Sequence, residues 1–313
     1  MNGNQPAGTD ARGDAQGTSL AARLFISFAL LSLLTLGTAA GVTVIRGNAV
    51  AEKAIGEQLA HSRSVQVALE RARFLQLELI TELFASDPYF SSYVAQAQQA
   101  DLGFGGTADT ASVTDLLGER QAELGFDFAI VLGAEGSVIA RTDGRPVGNH
   151  SLREDVVVGP VIQSLDSSTG YWSQENGVFQ VVAVPLADGF ELAGFLVAGL
   201  AVDNALAREL RQASGAHFLI VHKVGEQWRI AAGTPDETIS RALIAHFNTS
   251  AVDTDNRSIE LDGRQWRIAA APLDRADAFA VTLTDEDAAL AGYRAIQAVL
   301  ALAALGALGA AVL

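Results

Sequence analysis

Tyr171 and Trp172 stand side by side in the phrase GYWSQENGVFQVVAVPL (170–186), within a chain of which only 7% is aromatic. A phenol or indole ring offers a flat apolar platform with one polar tip, which suits it to packing the body of a small ligand while bonding its polar group. Gln180 follows beyond an Asn-Gly turn, a polar side chain in an otherwise apolar run, where it either lines a pocket or faces solvent. Arg141 and Arg153 carry the planar fork of donors that binds a carboxylate through two parallel hydrogen bonds. These five residues are the candidate ligand-binding set, and each has a plainer reading beside it. Neighbours on a strand point to opposite faces, so at most one of Tyr171 and Trp172 addresses a given pocket, and either can be packing alone. With 36 acidic residues against 21 basic ones, an arginine is also an ordinary surface ion-pair partner.

Other chemistry finds little material. The chain has no cysteine, which removes disulfides, thiol catalysis and Cys-ligated zinc. His217 and His222 lie five apart on a predicted strand and so face opposite ways, and His61, His150 and His246 are scattered. Asp285-Glu286-Asp287 lacks the even-spaced loop of a calcium site and reads better as acids at a helix N-terminus, with Thr284 or Asp285 as cap. There is no glycine-rich phosphate cradle, nucleophile elbow or purposeful carboxylate pair. No metal, cofactor or catalytic residue is expected. The formal charge of −15 falls wholly on 46–294, with 19 basic and 34 acidic residues, and such a domain is repelled by nucleic acid.

What must position the candidates begins with two apolar segments. Residues 24–45 are 22 uncharged positions, roughly 33 Å as a helix and enough to cross a bilayer. A cleavable signal peptide is the rival, but the run exceeds an h-region of about 7–15 residues. Residues 295–313 are 19 more without a charge; the alternative for them is a buried Ala/Leu helix. The basic residues flanking the first span do not fix orientation. The expected layout is a disordered cytoplasmic leader at 1–23, transmembrane helices at 24–45 and 295–313, and 46–294 outside the bacterial inner membrane. The chain stops inside the second segment, so it is expected to be a fragment or truncated reading frame whose effector is missing.

A helix is predicted from about 47 to 86, within a helical region spanning 46–100. Val65, Leu69, Ala72, Leu75, Leu79 and Leu83 mark one face at spacings of 3 and 4, and Phe74, Leu77, Ile80 and Phe84 form a second strip. Such a helix packs along a domain or pairs with a copy of itself. Asp87-Pro88 stops it. A short helix at 114–124, capped by Thr114 and ended by Gly125, leads to period-2 strands from Phe126 and from Ser137. A turn-rich crossover with a helix at 155–165 precedes a hairpin through Asn176-Gly177, whose residues tolerate positive φ. A fifth strand ends at Asp203, which caps a helix closed by Gly215. The order then repeats: Phe128 maps to Phe218, Pro185 to Pro272 and Asp203 to Asp285, at spacings of 90, 87 and 82. NGVFQVVAVPL returns as DGRQWRIAAAPL, whereas Tyr171-Trp172 has no counterpart. The fold class is α+β, with a long helix followed by modules of five antiparallel strands at 101–203 and 204–294.

With YW…G.FQVVAVPL and the link VDNALARELRQASGAHF, the region 46–294 resembles a double Cache sensor, a tandem PAS-like extracytoplasmic input region of bacterial signalling proteins. The resemblance implies sensing rather than catalysis, a ligand in the membrane-distal first module between sheet and crossover, and a homodimer joined through the long and transmembrane helices. It implies an output of nucleotide cyclase, diguanylate cyclase, kinase or chemoreceptor type. The partner is then an unidentified small molecule or a periplasmic protein. The amino-acid-binding variant carries a Tyr/Arg/Trp-rich motif on the crossover; RPVGNHSLREDVVVGPVIQSL has Arg145, His150 and Arg153 but no aromatic cluster, so an amino-acid ligand is not supported. A ligand-free structural or protein-interaction module is the rival reading, and a membrane-anchored enzyme the least favoured.

Overall fold

The computed structural model describes residues 20–101, 110–147, 150–250 and 252–292, with 295, 296, 298, 299 and 302. Helix α1 runs Leu20–Ala85 and takes in segment 24–45. Among the described residues no helix is long and apolar enough to cross a membrane. Most of 295–313, and all of the leader before Leu20, lie outside the described residues.

The helical region does not run unbroken from 46 to 100. The Asp87 carboxylate accepts from Tyr89 N at 2.9 Å, and Pro88, whose missing N–H costs nothing in a first turn, begins α2 (Pro88–Asp101). Helix α3 (Thr110–Leu124) starts four residues before the predicted cap. Thr114 is therefore inside the helix, where its hydroxyl donates to Thr110 O at 2.7 Å. Gly125 does close it, at φ +78.

The first module then follows as β1 (Phe128–Leu132), β2 (Val138–Arg141), α4 (Val158–Ser164), β3 (Ser168–Gln174), β4 (Gly177–Asp188) and β5 (Glu191–Ala201). The second follows as α5 (Asn204–Ser214), β6 (His217–Val224), β7 (Gln227–Gly233), α6 (Glu237–Thr249), β8 (Arg257–Leu261), β9 (Arg264–Pro272) and β10 (Ala278–Asp285). The sheets have the orders β2-β1-β5-β4-β3 and β7-β6-β10-β9-β8, antiparallel throughout, so the repeat read in the sequence is a repeat of topology. Asp203 caps α5 through Ala205 N and Leu206 N, and Gly215 ends it at φ +76. The left-handed turn pair expected at Asn176-Gly177 occurs instead in the second hairpin, where Asp262 and Gly263 have φ of +50 and +70.

Alternation along the strands builds two cores on the first sheet. Ala129 and Val131 of β1, with Val182 and Val184 of β4, face Leu77, Phe84, Phe90 and Leu117 of the helices. Phe128, Ile130 and Leu132 face the other way, onto Val157, Val158 and Val161 of the crossover. Burying each such side chain contributes about 1.5–3 kcal/mol. The strip Phe74, Leu77, Ile80 and Phe84 is thus the face of α1 that packs against the first module. Leu75, Leu79 and Leu83 of the other strip remain 54%, 56% and 70% exposed.

Candidate functional site

Strand β3 is the edge of the first sheet, and its register with β4 sets Tyr171 opposite Gln180 and Trp172 opposite Phe179. The two aromatic side chains leave the sheet on opposite sides, as strand geometry requires. Trp172 lies on the crossover side. Its ring stacks on Phe128 with centroids 5.7 Å apart and planes 5° from parallel. Its Nε1 donates to Asp155 Oδ1 at 3.1 Å, and the same oxygen accepts from Val157 N and Val158 N at the start of α4. Phe128 can lie this way only because Gly199 faces it on β5: a Cβ there would stand 2.2 Å from the ring.

Beside Trp172 opens a cavity of about 370 Å³. Ile130, Leu152 and Trp172 give it apolar surface, and Asp155 is among its walls. Arg141 and Arg145 line it from the first module; Lys223, Arg275 and Asp277 line it from the second. Ligand pockets commonly occupy about 300–1,000 Å³, so this one fits a small molecule displacing about a dozen waters.

Of the five predicted residues, the structure brings Arg141 and Trp172 to this cavity; Tyr171 borders it on β3 but sends its ring to the opposite face, towards Phe74 and Gln180. Arg141 is already engaged: Nε and Nη2 donate to Asp143 at 2.6 and 2.5 Å in a nearly buried pair. Burial pushes the Asp143 carboxyl up, but the hydrogen bonds and charge of Arg141, with Arg145 behind them, outweigh this and hold it below its ordinary value. Arg153 is elsewhere, on the surface, with its guanidinium 2.5 Å from Glu135. The plainer reading, a solvated ion pair, describes it.

Gln180 neither lines the cavity nor faces solvent. It is fully buried on the opposite side of the sheet, where α1 covers β4; its Nε2 donates to the Tyr171 hydroxyl at 3.3 Å and its Oε1 has no partner among the described residues. Phe74 meets the Tyr171 ring edge-on at 5.2 Å, and Glu70 of the same helix lies beside the phenol. Burial drives the Glu70 carboxyl above its ordinary range despite a 2.9 Å hydrogen bond from Gln66, and burial then Glu70 raise the phenol in turn. The second module has an ionic version of this cluster. Ser258 and Arg267, facing each other across β8 and β9 as Tyr171 and Gln180 do across β3 and β4, both bind the Glu286 carboxylate.

Arg145, Lys223 and Arg275 are the lining cations that the reading of single segments does not select. Arg145 sits on the crossover already singled out, but Lys223 lies near the end of β6 and Arg275 in the β9–β10 turn, both in the second module. Among the described residues no His, Asp or Glu group gathers as for a metal ion.

Two modules of one topology thus share this cavity, and one helix packs against both. A family described as the double sensory domain of two-component sensor kinases, dCache_3, matches residues 52–283, and the chain belongs to that family. The matched region is sensory, not an enzyme. A comparison with curated proteins finds no match. Similar solved structures include the ligand-binding domain of the Pseudomonas fluorescens chemoreceptor CtaA with L-isoleucine, at 15% identity and TM-score 0.45, covering 78% of this chain and 96% of that one. The periplasmic domain of Vibrio cholerae LuxQ is 10% identical with TM-score 0.44, covering 73% and 99%. The sensor domain of the V. cholerae histidine kinase DctB is 12% identical with TM-score 0.46, covering 77% and 98%.

Proposed function

We propose that residues 46–294 are the extracytoplasmic ligand-sensing region of a bacterial transmembrane receptor. It is anchored in the inner membrane by 24–45 and 295–313, and it passes a conformational change to a cytoplasmic output domain of cyclase, diguanylate cyclase, kinase or chemoreceptor type. The observation that carries this reading is the cavity beside Trp172, which joins apolar surface, convergent donors and residues from both modules. A ligand biases a two-state protein only as far as it binds one state better, and a cavity shared by two modules supplies such a difference. The 22 uncharged residues of 24–45 support the anchor, and the exposed Leu75, Leu79 and Leu83 support a homodimer through α1.

The test is a thermal-shift screen of the full chain in detergent against small metabolites. A ligand at a hundredfold excess over Kd stabilises by about 2.7 kcal/mol, and Trp172→Ala abolishes that gain. Silence across the screen would assign the modules to a ligand-free structural role instead.

A further inference from the structure

The cavity is walled by two domains of one repeat, and its charge is opposite to that of the chain. In a protein of formal charge −15, four cations line it, Arg141, Arg145, Lys223 and Arg275, against Asp155 and Asp277. Arg141 is neutralised by Asp143, and Asp155 is occupied by the Trp172 indole and the start of α4. Arg145 donates to Gln174 Oε1 at 3.0 Å and stands 3.9 Å from Asp143; Lys223 reaches Glu226 at 3.5 Å on the surface. Exposed pairs of this kind exchange partners at little cost.

Arg275 is the unusual member. It occupies the β9–β10 turn of the second module at φ +62, a left-handed conformation that ordinary side chains avoid. Its Nη1 donates to Val156 O and Ser168 Oγ of the first module, both at 2.9 Å, while Nε faces Asp274 at 3.4 Å. Nη2 makes no hydrogen bond among the described residues. The neighbouring Asp274 O accepts from Tyr171 N at 3.2 Å, so the turn is docked on β3 beside Trp172. Gly170 permits the approach, since a Cβ there would lie 3.2 Å from Arg275 Cδ and 2.9 Å from Val157 Cγ2.

We propose that this cavity is a seam site for a small organic carboxylate, held by Arg145 of the first module together with Lys223 and Arg275 of the second, with its apolar part against Trp172 and Leu152. The guanidinium fork matches a carboxylate. A bound carboxylate draws Arg275 from the Val156 carbonyl and Ser168 hydroxyl, so occupancy alters the contact between the modules directly. The inference rests on the sensing reading and adds the ligand's charge and the second module's share in holding it.

The test uses the full chain in detergent, titrated calorimetrically and by thermal shift with propionate, succinate and benzoate against propionamide, succinamide and benzamide, with an amino-acid panel alongside. At least one carboxylate is expected to bind and its amide not to. Lys223→Gln and Arg275→Gln are each expected to weaken binding tenfold or more; Lys223 is partly exposed, so its variant reports even where Arg275→Gln fails to fold. Equal binding of acid and amide, or of an amino acid and its α-amide, overturns the carboxylate assignment while sensing stands. Carboxylate binding that is lost in Trp172→Ala but unchanged in Lys223→Gln and in a folded Arg275→Gln overturns the seam and leaves a first-module sensor. No binding by any probe here or in the wider metabolite screen overturns both.

Discussion

Ser173 Oγ, on β3 of the first module, lies 3.0 Å from Nδ1 of His222, which is buried on β6 of the second. Burial, then the charge of Arg229 on the adjacent strand, pushes this imidazole below its ordinary value of 6.5; His217 and His246 are lowered for the same first reason, each with an arginine near. A histidine that folds with a lowered pKa binds fewer protons folded than unfolded, so its contribution is full above about 6.5 and is lost as pH falls from there towards the folded value. The urea midpoint is therefore expected to be lower at pH 5.5 than at 7.5. His222→Gln should narrow that gap; an unchanged gap would place the loss at the other two imidazoles.

Trp172 has two separable supports, the Phe128 ring and the Asp155 carboxylate. Trp172→Phe keeps a ring on the stack and loses the N–H bond, costing about 1 kcal/mol. Trp172→Ala loses both and opens a void, costing about 2–3 kcal/mol at this half-buried site. Urea unfolding of the two variants reads the difference.

Gly199 is predicted to be as important to the cavity as any residue that lines it. Gly199→Ala drives a methyl into Phe128 and displaces the stack, at about 1–3 kcal/mol. Indole fluorescence should shift with it, although residue 199 touches no ligand.

Glu70 is held in a folded environment that favours its neutral form, so the folded state keeps this proton to higher pH than the unfolded chain. Its contribution is favourable below about 4.5 and is lost as pH rises through the folded value. Glu70→Gln is expected to melt higher than the parent at pH 7.5, with the advantage gone near pH 4. A lower melting temperature at pH 7.5 would show the charge to be stabilising.

On α1, Leu79 at 56% exposure stands between Leu75 and Leu83 in a stripe that no described residue covers. Leu79→Glu is expected to shift the full chain towards monomer by tenfold or more in sedimentation equilibrium, without lowering its melting temperature. A variant with the parent's oligomeric state would show that this face does not hold a second copy.

Much of the scaffold was legible because its signals are local. Strand period, Asp203 and Gly215 at the ends of α5, and the recurrence of Phe128 as Phe218 each depend on neighbours a few residues away or on a repeated pattern. Two local readings failed where tertiary contacts decide. Gln180, polar on an apolar strand, reads locally as lining a pocket or facing solvent, yet it is buried beneath α1, and Thr114 reads as a cap, yet the helix begins at Thr110. The seam was not legible at all: Arg275 meets Val156 across 119 positions of sequence, and nothing in the turn Leu273-Asp274-Arg275-Ala276 announces the other module.

The carboxylates that the two hairpins grip differ in kind. At β8 and β9 an arginine and a serine seize Glu286, at the start of the helix leading away from the second module. At the matching places on β3 and β4, the phenol alone meets Glu70 of the incoming helix, and the amide bonds the phenol with its own oxygen left without a partner among the described residues. Duplication has thus kept the position and changed the chemistry, with an ion pair at the exit and a hydrogen-bonded cluster around a raised carboxyl at the entrance.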